Sequence, residues 1–375
     1  MMERRNGDMQ TNQRKKILYI MGIDWNWIYQ RPQIIAEYLC RDFDVTVVYP
    51  VKIWDRNTRM TNIQETTIQH LKLWTFPLQR KSKLVGNVSD KYICHVLRIC
   101  YQYDYIYIDY PTYIEYIPED YPGLIIYDCI DDYSQMCVHQ YGYQKIVSSE
   151  RVLLQRSDII LATSQRLVKK LNRQTAKKIM LVRNAMHFDK LHTIKEAEVK
   201  KQYKIGYIGT IAGWFDIDLI VENARKYSLL TYSLIGPCME FKRVECSQIN
   251  YEGIVEHSKL YMFIQDYDCL IIPFIVNEII KAVDPVKLYE YIAFGKCIIS
   301  VYYEELEFFK EFVYFYTTHE EYHNLIEDLM QKGFPPKYNI RQQKKFLIEN
   351  SWEERYKQIL EAIAPREEIY KEAGG

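Results

Sequence analysis

The sequence lacks any apolar run of about eighteen residues, the length that a helix needs to cross the hydrocarbon core of a bilayer. Its N-terminal segment, MMERRNGDMQTNQRKK, is polar and has no apolar stretch typical of a secretory signal peptide. We therefore expect a cytoplasmic protein. Composition leaves contact with the inner face of a membrane open.

The chain also has no net charge, because 49 Lys and Arg residues balance 49 Asp and Glu residues. We expect no nucleic-acid partner, since such partners favour basic surfaces. The nine cysteines contain no CxxC pair, which argues against a zinc site and favours reduced thiols. No GxGxxG motif follows the first predicted strand, which argues against a dinucleotide-dependent dehydrogenase.

The chain does contain enough apolar residues for two cores, since 48% of its 375 residues are hydrophobic. Strand-like apolar runs alternate with helical stretches through the first half, beginning with a predicted strand over residues 17–21. The alternation restarts at a predicted strand over residues 204–208. These patterns predict two α/β domains.

One stretch of the second half combines a strand, a helix start and two charged side chains. Residues 270–272 form a predicted buried strand, and a predicted helix follows it. The strand is predicted to end at Pro273 and Phe274. The helix is predicted to start at Asp284 or Pro285 and to end at Gly295. On the helix, Lys287 and Glu290 share a face. At the carboxyl ends of parallel strands, such a pair suits a phosphate and a sugar hydroxyl.

A second loop of this kind follows the predicted strand over residues 204–208. Gly209 and Gly213 allow the backbone to approach a diphosphate closely, and a helix predicted from Asp218 points its amides toward it.

Two tryptophans and two hydrogen-bond donors follow the first predicted strand. Trp25 and Trp27 offer flat faces on which a sugar ring can stack, with Gln30 and Arg31 as donors. Packing of both tryptophans between the domains explains them equally well, so both interpretations stay open.

Three carboxylates follow another predicted buried strand, over residues 124–127. Asp128, Asp131 and Asp132 lie where an α/β protein builds a site, and crowded carboxylates raise one another's pKa. Asp131 or Asp132 is suited to act as a base toward an acceptor hydroxyl, which we favour over metal binding. Helix capping by either residue is an equal alternative.

A helix predicted over residues 165–175 carries a basic stripe. Its members are Arg166, Lys169, Lys170, Arg173 and Lys177. The stripe suits an anionic lipid surface, but a solvated helix face explains it more simply.

Together these segments resemble GT-B glycosyltransferases of the group 1 (family-4-like) type, in a form similar to teichuronic acid and other surface polysaccharide transferases. The segments that carry the resemblance are W-x-W with QRP at residues 25–32, the D-x-x-D-D turn at 128–132, the strand-to-helix Ser164, residues 183–186, the loop G-x-[IL]-x-x-W-[FY]-D at 209–216, Ser351-Trp352, and the helix at 284–296. One departure is Ala282, which stands where the family has a first glutamate, eight positions before Glu290. Its role is then absent or has moved to Asn277 or Glu278.

The resemblance implies the α/β GT-B fold, in which two Rossmann-like domains face each other across a cleft. We expect an N-terminal acceptor domain over residues 15–187, joined by a C-terminal helix over 351–370 that crosses back to it. The nucleotide-sugar donor domain is expected over residues 188–350.

The resemblance also assigns roles, with Glu290 expected on the ribose of the donor. The expected donor-binding residues are Gly209, Thr210, Trp214, Pro273, Phe274, Asp284, Lys287 and Glu290. The expected acceptor-binding residues are Trp25, Trp27, Gln30, Arg31 and Ser164. The expected catalytic residues are Asp131, Asp132 and Lys287, with Arg31 as a second cation for the leaving diphosphate.

The implied activity is transfer of a sugar from a UDP- or GDP-sugar to a glycan or lipid-linked acceptor in bacterial surface polysaccharide synthesis. The reaction is expected to be retaining and to need no metal or other cofactor. Two alternatives are a GT-B nucleotide-sugar epimerase and a non-catalytic subunit that binds nucleotide or glycan.

Overall fold

A computed structural model describes residues 14–53, 67–77, 82–137, 140–186, 192–194, 196–239 and 242–373. Within these ranges, no helix combines the length and the apolar character that a membrane span requires. The predicted domain boundary at residue 187 lies outside the described residues.

Seven parallel strands form the first sheet, in the order β3-β2-β1-β4-β5-β6-β7. They are β1 (Lys16–Ile20), β2 (Asp44–Lys52), β3 (Gln69–Thr75), β4 (Tyr105–Ile108), β5 (Leu124–Cys129), β6 (Ile159–Ala162) and β7 (Ile179–Leu181). The inner strands β4, β5 and β6 consist mainly of Ile, Leu and Tyr and are buried along their length. Such runs are typical of parallel sheets, because helices cover both faces.

The helices of this domain are α1 (Arg31–Leu39), α2 (Lys83–Leu97), α3 (Gln140–Arg156) and α4 (Gln165–Asn172). Ile35 and Leu39 of α1 belong to the core on one face of the sheet, while Leu153 of α3 and Leu167 of α4 belong to the core on the other. The helix α3 is not among the elements predicted from the sequence.

A second parallel sheet has six strands in the order β10-β9-β8-β11-β12-β13. They are β8 (Tyr203–Ile208), β9 (Leu230–Ile235), β10 (Ile249–Gly253), β11 (Cys269–Ile272), β12 (Cys297–Val301) and β13 (Tyr314–Tyr316). Its helices are α5 (Ile217–Lys226), α6 (His257–Ile264), α7 (Val286–Ala293), α8 (His319–Lys332) and α9 (Ile340–Glu349). Gly295 follows α7 with a left-handed φ of 67°, as expected of the residue that stops a helix.

The last helix, α10 (Trp352–Ala373), returns to the first domain. Trp352, Tyr356 and Ile359 are buried in the same core as Ile35 of α1. Met186 and Ser351 form a parallel bridge, so the outgoing and returning chains run side by side between the domains.

Strand order reverses between β1 and β4 in the first sheet and between β8 and β11 in the second. In open α/β sheets, ligands bind outside the carboxyl ends of the strands at such a reversal. The two reversals therefore locate two candidate sites, one in each domain.

The two domains meet through the loops near these ends. Glu278, in the loop after β11, forms an ion pair with Arg166 of α4. Glu278 also lies within electrostatic range of Asp132, in the loop after β5. The carboxyl side of the second sheet thus faces the carboxyl side of the first.

Candidate functional site

In the second domain, Gly209 follows β8 at the reversal and has a φ of 143°. A Cβ at this position would lie 2.0 Å from Cε of Lys287, on α7. A glycine is therefore required here, both for backbone conformation and for the passage of the lysine side chain.

The loop after Gly209 is tied to the segment after β11. The amide of Ile275 donates to the carbonyl of Trp214 at 2.7 Å, and the amide of Asp216 donates to the carbonyl of Pro273 at 2.8 Å. Asp216 also caps α5, through a hydrogen bond from the Leu219 amide. These bonds hold the two loops together at the mouth of the site.

The expected donor residues on these loops differ in exposure. Trp214 is partly exposed, whereas Phe274 is buried in the domain core. The hydroxyl of Tyr207 donates to the carbonyl of Thr210 at 2.9 Å, which fixes the backbone of the turn. Phe274 thus packs in the core beneath the loop, and part of the Trp214 side chain remains exposed.

Lys287 lies on the first turn of α7, which is preceded by Pro285 at the N-cap. Its ammonium is about 5.9 Å from the ring centroids of both Tyr207 and Phe274. Burial lowers the pKa of Lys287, and the nearby Glu290 opposes that effect. In the described part of the chain, no hydrogen bond or ion pair holds this ammonium.

This arrangement suits an anion. The first amides of a helix have no partner within the helix and carry partial positive charge. A half-buried cation among aromatic rings adds a full charge to them. Glu290 lies three residues further along the same helix, so that it shares a face with Lys287.

Asp284 lies elsewhere than expected. Its side chain does not cap α7, as the sequence analysis allowed; instead its Oδ2 accepts from the amide of Asn184 at 2.6 Å. The hydroxyl of Tyr289 also donates to it at 3.1 Å, and Arg183 lies 3.5 Å away. Burial raises the pKa of Asp284 to about 6, with Arg183 opposing. Asp284 thus holds the chain that crosses between the domains, because a buried carboxylate needs such partners.

At position 282, where the family has its first glutamate, this chain has no carboxylate. Ala282 is buried in an apolar cluster with residues of the first domain, among them Leu167. Asn277 accepts a hydrogen bond from the amide of Ile280 at 2.9 Å, and Glu278 pairs with Arg166. The suggested replacements are therefore engaged in local and interdomain contacts.

In the first domain, the two tryptophans differ. Trp25 is 8% exposed and meets the edge of His70 at a centroid distance of 4.8 Å, within the domain core. Trp27 is 51% exposed. Packing of both tryptophans between the domains is therefore wrong, and Trp27 is the one available for stacking. Gln30, at the N-cap of α1, is exposed beside it.

Arg31 is not available to a ligand. It is 4% exposed, and its guanidinium makes two hydrogen bonds to Asp128 at 2.9 and 3.0 Å. It also donates to the carbonyl of Arg183 at 3.2 Å. The expected roles of Arg31 as a donor to the acceptor and as a second diphosphate cation are wrong, because a buried ion pair cannot give up one partner cheaply.

Ser164 is likewise used by the fold. It is fully buried at the N-cap of α4, and its hydroxyl accepts from the amide of Leu167 at 3.2 Å. The position after β6 matches the prediction, but the hydroxyl contacts the helix rather than the cleft.

Asp131 and Asp132 have different surroundings. Burial, with a smaller contribution from Asp132, raises the pKa of Asp131 to about 7. Burial also acts to raise the pKa of Asp132, but hydrogen bonds from Ser134 at 2.6 Å and Lys170 at 2.9 Å lower it overall. The Asp132 carboxylate also accepts from the backbone amide of Gln135, three residues further along the chain, as an N-cap residue does, so the capping alternative stays open for Asp132.

One carboxyl group at this end of the first sheet was not predicted from the sequence. Asp109 follows β4 at the reversal of the first sheet, is buried, and accepts from the amide of Gly22 at 2.6 Å. Burial raises its pKa to about 8, although that hydrogen bond opposes the change. Its place directly after the apolar strand β4 is the signal that could have identified it.

The basic stripe is partly solvated and partly engaged in ion pairs, with Lys169 and Arg173 exposed. Arg166 and Lys169 form ion pairs with Glu278 and Glu304 of the second domain. Lys170 pairs with Asp132 and Glu150 at 2.9 Å each. The solvated-face interpretation agrees with the exposure of Arg166 and Lys169, whereas Lys170 is engaged between Asp132 and Glu150.

No family model matches the chain. Over 197 residues it is 23% identical to TuaH of Bacillus subtilis (strain 168), whose assignment as a teichuronic acid biosynthesis glycosyltransferase is itself provisional. The alignment covers 47% of this chain and 50% of TuaH, so the chain spans about half the length of that relative.

Solved structures match over nearly the whole chain. Anabaena HepE in complex with UDP and glucose has a TM-score of 0.68 at 13% identity, covering 93% of this chain and 99% of HepE. The lipopolysaccharide outer core galactosyltransferase WaaB has a TM-score of 0.65 at 11% identity, covering 94% of this chain and 100% of WaaB. The chain thus has the GT-B fold, and in sequence and structure it resembles glycosyltransferases, as its motifs predict.

Proposed function

We propose that this protein transfers a sugar from a UDP- or GDP-sugar to a glycan or lipid-linked acceptor in bacterial surface polysaccharide synthesis. The observation that carries the proposal is Lys287. Its half-buried ammonium lies at the strand-order reversal of the second domain, beside Gly209 and the start of α7. The likeness to TuaH and to a UDP-bound GT-B protein supports a nucleotide-sugar as donor.

In this reaction the bond between the anomeric carbon and the diphosphate oxygen breaks, and its electron pair leaves with the diphosphate. Lys287 and the first amides of α7 stabilise that charge. Glu290 holds the ribose through a hydrogen bond. The acceptor oxygen forms the new bond to the anomeric carbon, and its proton passes to a carboxylate or to the departing diphosphate.

For the acceptor side we propose Trp27 and Gln30 as contacts. Asp131 is our choice for the carboxylate that takes the proton, because its pKa of about 7 allows both protonation states near neutrality. Asp132, held ionised by Lys170, supports it. We propose a retaining reaction without a metal, and a cytoplasmic enzyme that reaches lipid-linked acceptors at the inner face of the membrane.

Thermal-shift titration with UDP, GDP and their sugars, with either EDTA or a divalent ion present, tests the donor site. We expect one nucleotide to stabilise the protein equally in EDTA. Donor turnover is then followed with and without a polysaccharide acceptor. Conversion of the nucleotide-sugar to its epimer without acceptor would assign an epimerase, and binding without any donor hydrolysis would assign a non-catalytic subunit. Absence of stabilisation by every nucleotide would reject the proposal.

A further inference from the structure

We infer that α4 is a strut that ties the position of the donor domain to the Asp131–Asp132 turn, with Lys170 as a positioning residue at its far end. The inference rests on the proposed function for its effect on sugar transfer. Its structural part, the control of Asp132 from the other domain, is measurable without turnover.

The near end of the strut is held by the second domain. Glu305 lies just after β12, and its two carboxylate oxygens accept from the amides of Gln165 and Arg166 at 3.1 and 3.2 Å. Glu305 is buried and also pairs with Arg183 on the crossing chain. A carboxylate on the first amides of a helix is favoured by charge and by hydrogen bonding. The donor domain therefore supplies a cap to a helix of the acceptor domain.

Apolar contact supports the same joint. Ala282 of the donor domain is buried with Leu167 and Leu171, the two buried residues of α4. The ion pairs of Arg166 and Lys169 with the donor domain are exposed and contribute little. The buried cap by Glu305 and the packing of Ala282 thus set where α4 lies relative to the donor domain.

The far end of the strut reaches the acceptor-side carboxylates. Lys170 is mostly buried and bridges Asp132 to Glu150 of α3, whose side chain is 1% exposed. The groups that face Lys170 are Asp132, Glu150 and the thiol of Cys129. Asp132 has further charged neighbours in Asp131 and, from the donor domain, Glu278.

The two ends are five residues apart on one helix, which spans about 7.5 Å at about 1.5 Å per residue. A displacement of the donor domain that shifts Glu305 therefore moves Lys170 as well. Lys170 holds Asp132 ionised in the turn, and Asp131 beside it is then the carboxyl that exchanges a proton. When the donor domain is docked, Asp132 is therefore ionised and Asp131 is the carboxyl group that exchanges the proton.

The test compares Lys170→Met and Lys170→Arg with Lys169→Met, a matched control on the neighbouring exposed lysine. Because removal of a nearby cation raises the pKa of a carboxyl group, Lys170→Met should move the acid limb of the pH–rate profile to higher pH. We expect at least a tenfold lower kcat with the UDP dissociation constant unchanged. Lys170→Arg should restore most of the rate, and Lys169→Met should match the wild type. If Lys170→Met and Lys169→Met behave alike, the positioning role is overturned.

A second measurement follows Asp131 and Asp132 by 13C carboxyl NMR in aspartate-labelled protein, assigned with Asp→Asn variants. The pKa of Asp132 should rise in Lys170→Met and also in Glu305→Gln, which weakens the cap from the other domain. Where Lys170→Met does not fold, it is combined with Glu150→Gln so that no buried carboxylate is left without its cation. An unchanged titration of Asp132 in Glu305→Gln overturns the strut. Since this readout needs no turnover, a wild type that transfers no sugar rejects the proposed function and leaves this inference to be decided by NMR.

Discussion

Replacement of Lys287 by Met should weaken nucleotide binding and leave the fold intact or more stable. Methionine keeps most of the aliphatic side chain that passes Gly209 and lies near the rings of Tyr207 and Phe274. The substitution therefore removes the ammonium with little change in packing.

The magnitude follows from the surroundings of the ammonium. Hydrogen bonds to charged groups contribute about 1.5–3 kcal/mol, so the dissociation constant for UDP should rise about 10- to 150-fold. Burial lowers the pKa of Lys287, which means that the folded state disfavours its charged form. Removing that charge should therefore not lower the melting temperature, and should raise it if desolvation dominates.

Isothermal titration with UDP and with uridine at pH 7 tests whether the loss of affinity depends on the diphosphate. The matched control is Lys332→Met, on the exposed last turn of α8. Uridine has no diphosphate, so its affinity should not change. Wild-type affinity for UDP should fall as the pH rises toward the lowered pKa of Lys287, and the affinity of the variant should stay flat above pH 7. A variant with a clearly lower melting temperature and unchanged UDP affinity would show that Lys287 is structural and would refute the reasoning.

Four further outcomes are expected. Glu290→Ala should weaken nucleotide binding by about 1–3 kcal/mol through the lost hydrogen bond to the ribose, measured by titration with UDP against a ribose-modified analogue. Asp131→Asn should abolish the rise of transfer rate with pH through about 7 and spare UDP binding; a pH profile like that of the wild type would exclude Asp131 as the base. Trp27→Ala should raise the KM for the acceptor without changing stability, whereas Trp25→Ala should cost about 3–5 kcal/mol in urea unfolding because its side chain is buried. Arg31→Met should destabilise the fold by about 3–5 kcal/mol, since it leaves a buried carboxylate unpaired, and loss of acceptor binding in a fully stable variant would contradict this.

Much of the fold follows from local patterns. Inner strands such as β6 and β11 are uninterrupted apolar runs, which can be recognised in the sequence because both faces of such a strand are covered. The start of α7 at Pro285 and its stop at Gly295 follow from backbone chemistry of single residues. By contrast α3 was not predicted, although it places Glu150 beside Lys170.

The sequence by itself determined the two α/β domains, the loops at the ends of their strands and the pairing of Lys287 with Glu290 on one helix face, because each depends on residues close together in the chain. Tertiary structure alone decided which charges remain available. Arg31 and Asp128 are 97 positions apart, and Glu305 caps a helix 140 positions before it. Whether a charged side chain is engaged within the fold or remains available to a ligand depends on which partners folding brings within about 3 Å. Burial makes an ion pair within the protein costly to break. For this reason the fold itself engages the side chains of Arg31, Ser164 and Asp284 in hydrogen bonds or ion pairs. The ammonium of Lys287 has no hydrogen-bond or ion-pair partner among the described residues.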